Sequence, residues 1–385
     1  MATFHAQYPP ARRLDLVEDL FGHRVADPYR WLEDADSAET RQWLAAEEEL
    51  WTAYRADLPR RDAFAARVRE LLQVGYVGVP AWRGTSCFYT RRDPGQEHGV
   101  LYVADGAGER VLVDPGVDPS GRTTLDHWQP DKEGRLLAYQ LSSGGNEESL
   151  LRVLDVTSGE DIDGPIDRCR YSGIAWLPGG KAFYYVRRLP PEAVPAGEQQ
   201  YHRRVYLHVV GTAPESDAMV FGEGRDKTSY YGVSVSRDGR WLVISASIGT
   251  APREDVWLAD LTTADPASPV LVPVTVGLDA QTSLRAGRDG RLYVYTDLDA
   301  PRGRICVADP AAPGPEGWRD LIPEDPSAVL RGYAILDELP RPVLVVSLTR
   351  HAIIEVAVHD LTTGEPLSSL ELPGLGSVGG IAERP

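Results

Sequence analysis

The serine most like a hydrolase nucleophile is Ser377, in Leu375-Gly376-Ser377-Val378-Gly379. A nucleophile elbow needs Gly-x-Ser-x-Gly on a sharp strand-to-helix turn. Leu375 stands where the first glycine belongs, and no helical pattern follows, so Ser377 reads as part of a linker. The eight histidines, among them His23, His127, His202 and His351, show no His-x-x-x-His pair or other metal-ligand spacing. His202 and His208 are six residues apart, which does not place two ligands on one side of a helix turn. The three cysteines, Cys87, Cys169 and Cys306, are far apart and include no Cys-x-x-Cys, so they read as buried free thiols. No Gly-x-Gly-x-x-Gly follows a strand and no Gly-x-x-x-x-Gly-Lys occurs, so no phosphate cradle is expected. Carboxylate runs such as Glu147-Glu148 and Glu47-Glu48-Glu49 are solvated faces in an acidic chain, not an acid–base pair. The residues therefore predict no catalytic group, no metal and no cofactor.

Composition narrows the partners. The 385 residues carry a net charge of −17, with 42% hydrophobic and 25% charged residues. Nucleic-acid binding needs clustered Lys and Arg, and anionic membranes also repel such a chain. No apolar run approaches spanning length, and Met1 to Pro10 holds no signal-peptide core, so a cytoplasmic protein is expected.

The elements that could position a site are repeats. A short alternating strand ending on Asp occurs as Leu101-Tyr102-Val103-Ala104-Asp105 and Leu151-Arg152-Val153-Leu154-Asp155. It returns as Val256-Trp257-Leu258-Ala259-Asp260, Ile305-Cys306-Val307-Ala308-Asp309 and Val356-Ala357-Val358-His359-Asp360, with a variant at Val205 to Val209. The copies lie about 50 residues apart, the period of a propeller blade of four short strands. A second phrase, a Gly-containing turn and then a strand, starts at Asp131, Gly179, Asp238 and Asp289. Asp-Gly supplies the positive φ of a tight hairpin, so these aspartates read as turn chemistry, not calcium loops. The predicted blades are 76–115, 124–166, 170–222, 230–273, 281–322 and 330–372, and Ser377 to Pro385 reads as the opening strand of a seventh.

Residues 1–72 follow a helical period instead. Asp36 and Ser37 can cap a first helix, with Glu39 three residues after Asp36 as in a capping box. Its aromatic stripe is Trp43, Leu44, Leu50, Trp51 and Tyr54. Pro59 suits the first turn of a second helix, with Phe64, Val68, Leu71 and Leu72 on one face. The expected fold is thus mainly β. Residues 1–72 form a helical segment, and 73–385 form a seven-bladed-type propeller with six full blades and an incomplete seventh.

The stretch Asp27-Pro28-Tyr29-Arg30-Trp31-Leu32-Glu33-Asp34 resembles the N-terminal signature of the prolyl oligopeptidase family of serine peptidases. The resemblance runs from about Tyr8 to Gly380, through Trp43 to Glu47, Tyr139 to Asp155, Ile174-Ala175-Trp176, Phe183-Tyr184-Tyr185, Trp318 to Glu324 and Leu372 to Ser377. It implies a helical segment, a seven-bladed propeller that admits short peptides, and a C-terminal α/β-hydrolase domain that cleaves after proline. No triad residue of that domain has a match here, so the chain is expected to be inactive alone and to end inside the seventh blade. The segment Arg170 to Trp176 is similar to a family segment whose aromatic, at the position of Tyr171, lies near bound peptide. Tyr171 is therefore a candidate substrate-lining residue, with filling of the blade core as the alternative. The implied role is gating and filtering of short proline-containing peptides, and the alternative is a stand-alone binding module. The implied partner is a hydrolase-domain chain, or a second copy of this chain through the apolar stripes of 1–72.

Overall fold

Asp131 shows why the repeated turns form. Its Oδ1 accepts from the backbone N–H of Arg135 (2.7 Å) and Leu136 (3.1 Å), while Gly134 takes φ 72°. Asp238 and Asp289 accept instead from the N–H two residues further on, those of Arg240 and Arg291. Asp105, Asp155, Asp260, Asp309 and Asp360, at the ends of the repeated strands, each accept from the N–H two residues further on. The repeated aspartates are thus engaged by their own backbone, all but Asp131 as Asx turns.

In the computed structural model, which describes residues 7–382, these turns join six antiparallel sheets. The first blade has five strands: Tyr76–Val77 and Ala81–Arg83 both pair with Ser86–Arg92, followed by Val100–Asp105 and Gly108–Val113. The other five are four-stranded meanders with inner strands Thr123–Pro130, Ile174–Trp176, Ser229–Val235, Thr282–Ala286 and Val329–Leu336. Their outer strands are Asp161–Ile166, Ala218–Phe221, Val272–Thr275, Arg319–Ile322 and Pro366–Ser369. The molecule is therefore mainly β, with a six-bladed propeller and two helices N-terminal to it.

Its core is a series of layers, because adjacent blades bury their facing sides against each other. Trp176, Phe183 and Tyr185 of the third blade meet Ala138, Leu151 and Val153 of the second. Tyr184 and Leu207 meet Leu242 and Trp257 of the fourth. A meander also sorts its loops. Those joining second to third strands, and outer strands to the next inner strand, share one face, and the turns described above share the other.

The structure divides the chain into two units, Met1–Val74 and Gly75–Pro385. Within the first, Val17–Leu20 and His23–Ala26 form a hairpin. Arg30 ties it down through ion pairs to Glu18 and Asp27, which accounts for Asp27 and Arg30 in the signature. Trp31 meets Trp43 edge-on at 6.4 Å and donates from Nε1 to the carbonyl of Arg12. Helix α1 is Ala38–Ala56 and α2 is Arg61–Leu72.

Two expectations for the helix starts fail. Ser37 alone caps α1, its hydroxyl accepting from the Thr40 N–H, while Glu39 turns away to a bidentate ion pair with Arg12. Two charge-assisted bonds to a guanidinium outcompete one to a backbone amide. Pro59 lies outside α2, whose N-cap is Arg60 at φ 63°. The α2 residues Phe64, Val68, Leu71 and Leu72 and the α1 residues Trp51 and Tyr54 remain exposed.

No strand follows Ser369 among the described residues. Leu372, Val378 and Ile381 pack against Ala334, Val345 and Val356 of the sixth blade, and a Cβ at Gly380 would lie 3.0 Å from Val79 of the first. Glu383 to Pro385, part of the expected seventh-blade strand, lie outside the described residues. No helix among the described residues is long and apolar enough to cross a membrane.

Candidate functional site

Tyr171 sits on the loop from the outer strand of the second blade to the inner strand of the third. It is 52% exposed and holds φ 57°, so it stands at a rim and does not fill a blade. A tyrosine in left-handed backbone is uncommon and signals a position fixed by its contacts. Its hydroxyl donates to Glu147, on the second-to-third-strand loop of the second blade. The Arg170 guanidinium lies 5.0 Å from its ring centroid and bonds the same carboxylate at 2.7 Å. Bonds from Tyr171 and then Arg170 hold the Glu147 carboxyl below the usual carboxylate range. The Tyr171 ring meets Tyr230 of the fourth blade at 6.0 Å, and Tyr230 lies under the Arg203 guanidinium at 3.9 Å. Gln200 accepts from both Arg170 (3.2 Å) and Arg188 (2.9 Å), and Arg188 pairs with Glu148. The result is a rim of aromatic faces and guanidinium groups, a surface that suits peptide side chains and carbonyls.

Behind this rim the inner strands enclose a channel. One cavity, about 470 Å³, is lined by Ser234, Trp241, Leu284, Arg285, Arg288 and Asp337. Another, about 660 Å³, is lined by Trp82, Arg83, Gln129, Lys132, Arg237 and Ile381. Lys132, in the first turn of the second blade, reaches past the third blade. Its Nζ donates to the carbonyls of Val235 (2.8 Å) and Ser236 (2.9 Å) on the fourth. Burial, and then the charge of Arg83, pull its pKa down to about 8. On the same face Arg237 and Arg288 pair with Glu338, and the Arg288 N–H is bonded by Asp337. One end of the channel therefore carries a strap of lysine and ion pairs, and the other the open aromatic rim.

Of the residues singled out in the sequence, only Tyr171 joins this arrangement. Ser377 lies in the irregular segment after the sixth blade, and no helix follows it among the described residues. His202 bonds Glu198, and His208 is buried between two carboxylates. Cys87, Cys169 and Cys306 are buried, and no disulfide joins them. Among the described residues no group of three or more His, Cys, Asp or Glu is set to hold a metal. The sequence reading passed over Arg170, Arg203, Tyr230 and Lys132. The one available signal was the doublets Arg187-Arg188 and Arg203-Arg204, which the structure pairs in register across two strands.

Residues 9–385 match the family model for the prolyl oligopeptidase N-terminal β-propeller domain. The chain is 29% identical over 381 residues to the prolyl endopeptidase of Elizabethkingia meningoseptica, covering 97% of this chain and 52% of that protein. It is 25% identical to prolyl oligopeptidase A of Amanita bisporigera, over 96% of this chain and 53% of that one. Its fold superposes with a TM-score of 0.85 on a prolyl endopeptidase solved for its interdomain dynamics, at 32% identity, covering 96% of this chain and 54% of the other. The Galerina marginata prolyl oligopeptidase B, bound to a 35-residue substrate, shares the fold with a TM-score of 0.81 at 21% identity, over 96% of this chain and 55% of that one. The chain spans about half the length of the curated relatives it matches. By the match over residues 9–385, it belongs to the prolyl oligopeptidase family and corresponds to the family's N-terminal β-propeller domain.

Proposed function

We propose that this chain is the gating and substrate-filtering part of a prolyl-oligopeptidase-like serine endopeptidase acting on short proline-containing peptides. The observation that carries this reading is the match over residues 9–385, joined to a channel strapped by Lys132 at one end and rimmed by Tyr171 and Tyr230 at the other. The rim docks the peptide and the channel limits its size. In this reading Val378 and Ile381, packed on the sixth blade, begin a seventh, and the protein is cytoplasmic, in keeping with three buried cysteines that form no disulfide. The purified chain should bind an acetylated, amidated proline hexapeptide in calorimetry and leave it uncut. Tyr171→Ala should weaken binding about fivefold, the size of one lost aromatic contact of ~1 kcal/mol. Absence of peptide binding, or stoichiometric labelling of a serine by a fluorophosphonate, would refute the reading.

The partner is a hydrolase-domain chain, or a second copy of this one. Phe64 is 67% exposed and Leu72 is 67% exposed, and Val68 and Leu71 extend the same α2 face. Apolar area removed from water stabilises by roughly 25 cal/mol per Å², so several hundred Å² would hold a complex together. Sedimentation velocity of the purified chain should show concentration-dependent association that Phe64→Glu abolishes. A monomer at every concentration, with α2 resisting protease, would contradict it.

A further inference from the structure

Arg203 is 3% exposed, and its Nε and Nη1 have no hydrogen-bond partner. No carboxylate among the described residues forms an ion pair with it. Two further guanidinium groups act on it: Arg188, directly opposite on the neighbouring strand, and Arg170. Each of these has its own carboxylate, Glu148 and Glu147, yet each also keeps a buried Nε without a partner. Three cations thus face two carboxylates, and the unmatched charge is the most buried of the three. Burial first, then the charges of Arg188 and Arg170 against an opposing pull from Tyr230, lower the pKa of Arg203.

A buried, unpaired cation is unfavourable, and a site that keeps one is relieved when an anion enters. Guanidinium groups match a carboxylate in charge and in bidentate geometry. The neighbouring walls are aromatic, so they accept the aliphatic stem of a side chain as well as its charged end. We propose that Arg203, with Arg170 and Arg188, forms a carboxylate subsite beneath the Tyr171–Tyr230 rim that takes an acidic side chain of a bound peptide. The Tyr230 ring now covers the guanidinium, so the carboxylate enters in place of that ring. The subsite rests on the peptide-docking reading above and adds a preference to it: peptides with Glu or Asp are selected, although the chain itself carries a net charge of −17.

Two acetylated, amidated hexapeptides that differ only as Glu against Gln test this by calorimetry on the intact chain. The Glu peptide should bind about tenfold more tightly, and the preference should collapse in 0.5 M salt. Arg203→Met, which keeps the stem and removes the charge, should abolish the preference for Glu over Gln. On the unaltered chain, glutarate should compete with the Glu peptide and glutaramide should not, which reads the site without any substitution. Equal affinity for the two peptides, or a preference that survives Arg203→Met in a folded variant, overturns the subsite and leaves peptide docking standing. Binding of neither peptide overturns both.

Discussion

Replacing His208 with alanine should destabilise the chain by about 3–5 kcal/mol, because it removes the cation from a buried charge cluster. The imidazole is fully buried. Its Nδ1 bonds Asp217 at 2.8 Å and its Nε2 bonds Asp163 at 2.9 Å. Asp163 lies on the outer strand of the second blade and His208 on the third strand of the third, so the ring clamps two blades. Asp217 also accepts from Tyr185 at 2.6 Å, and Asp163 from the Gly211 N–H at 2.6 Å. Burial alone would lower the His208 pKa. Hydrogen bonds to Asp217 and Asp163, with their charges, outweigh burial and raise it above the ordinary value. The sign of the pH effect follows. The folded protein binds the proton more tightly than the unfolded chain, whose histidine titrates near 6.5. The stabilisation is therefore complete below about pH 6.5 and is lost as pH rises through the higher folded value. Above that value a neutral ring can donate to only one of the two carboxylates. Urea unfolding of the wild type from pH 6 to 9 should show this decline, and His208→Ala should lack it. A variant with wild-type midpoint and the same pH slope would remove His208 from the account.

Trp176→Ala should cost a further 3–5 kcal/mol or thereabouts, the usual range for removing a buried large aromatic. Trp176 is 2% exposed, meets Phe183 edge-on at 4.8 Å, and donates from Nε1 to the Gln129 carbonyl at 2.9 Å. That bond joins the inner strands of the second and third blades directly behind the channel wall. The alanine variant leaves both a cavity and an unmatched carbonyl. Trp176→Phe, which keeps most of the volume, should lose distinctly less. Phe183 also touches the His208 ring, at 5.2 Å between centroids, so the two alanine substitutions should not be additive. Unfolding midpoints of the single and double variants measure this. A loss below about 1 kcal/mol for Trp176→Ala would show that the layer between these blades closes over the gap.

The sequence by itself determined the architecture because that information is local. Strand alternation has a period of two residues, and an Asp or Asp-Gly turn bonds its own backbone. Both therefore repeat visibly wherever a blade repeats. The second strands after Asp131, Asp238 and Asp289, and the third strands ending at Asp105, Asp155, Asp260 and Asp360, follow from that local chemistry. The helical segment was legible for the same reason, down to Ser37 as a cap. Local rules failed where a distant charge intervened, as when Arg12 drew Glu39 away from the α1 terminus.

The candidate site was decided by tertiary structure. Tyr171 and Tyr230 are 59 residues apart, and Glu147, Arg188 and Arg203 come from three other segments. Nothing in their spacing marks them as neighbours. Only the packing of successive blades brings their loops to one face, and only strand register sets Arg188 opposite Arg203. Lys132 reads in sequence as an ordinary turn residue, yet its ammonium group crosses to the fourth blade. His208, one of the repeated strand's alternating positions, becomes a charged clamp only because Asp163 and Asp217 converge on it from two blades. Charges and aromatic faces act over a few ångströms of space, and in a propeller those ångströms separate residues that lie dozens of positions apart along the chain.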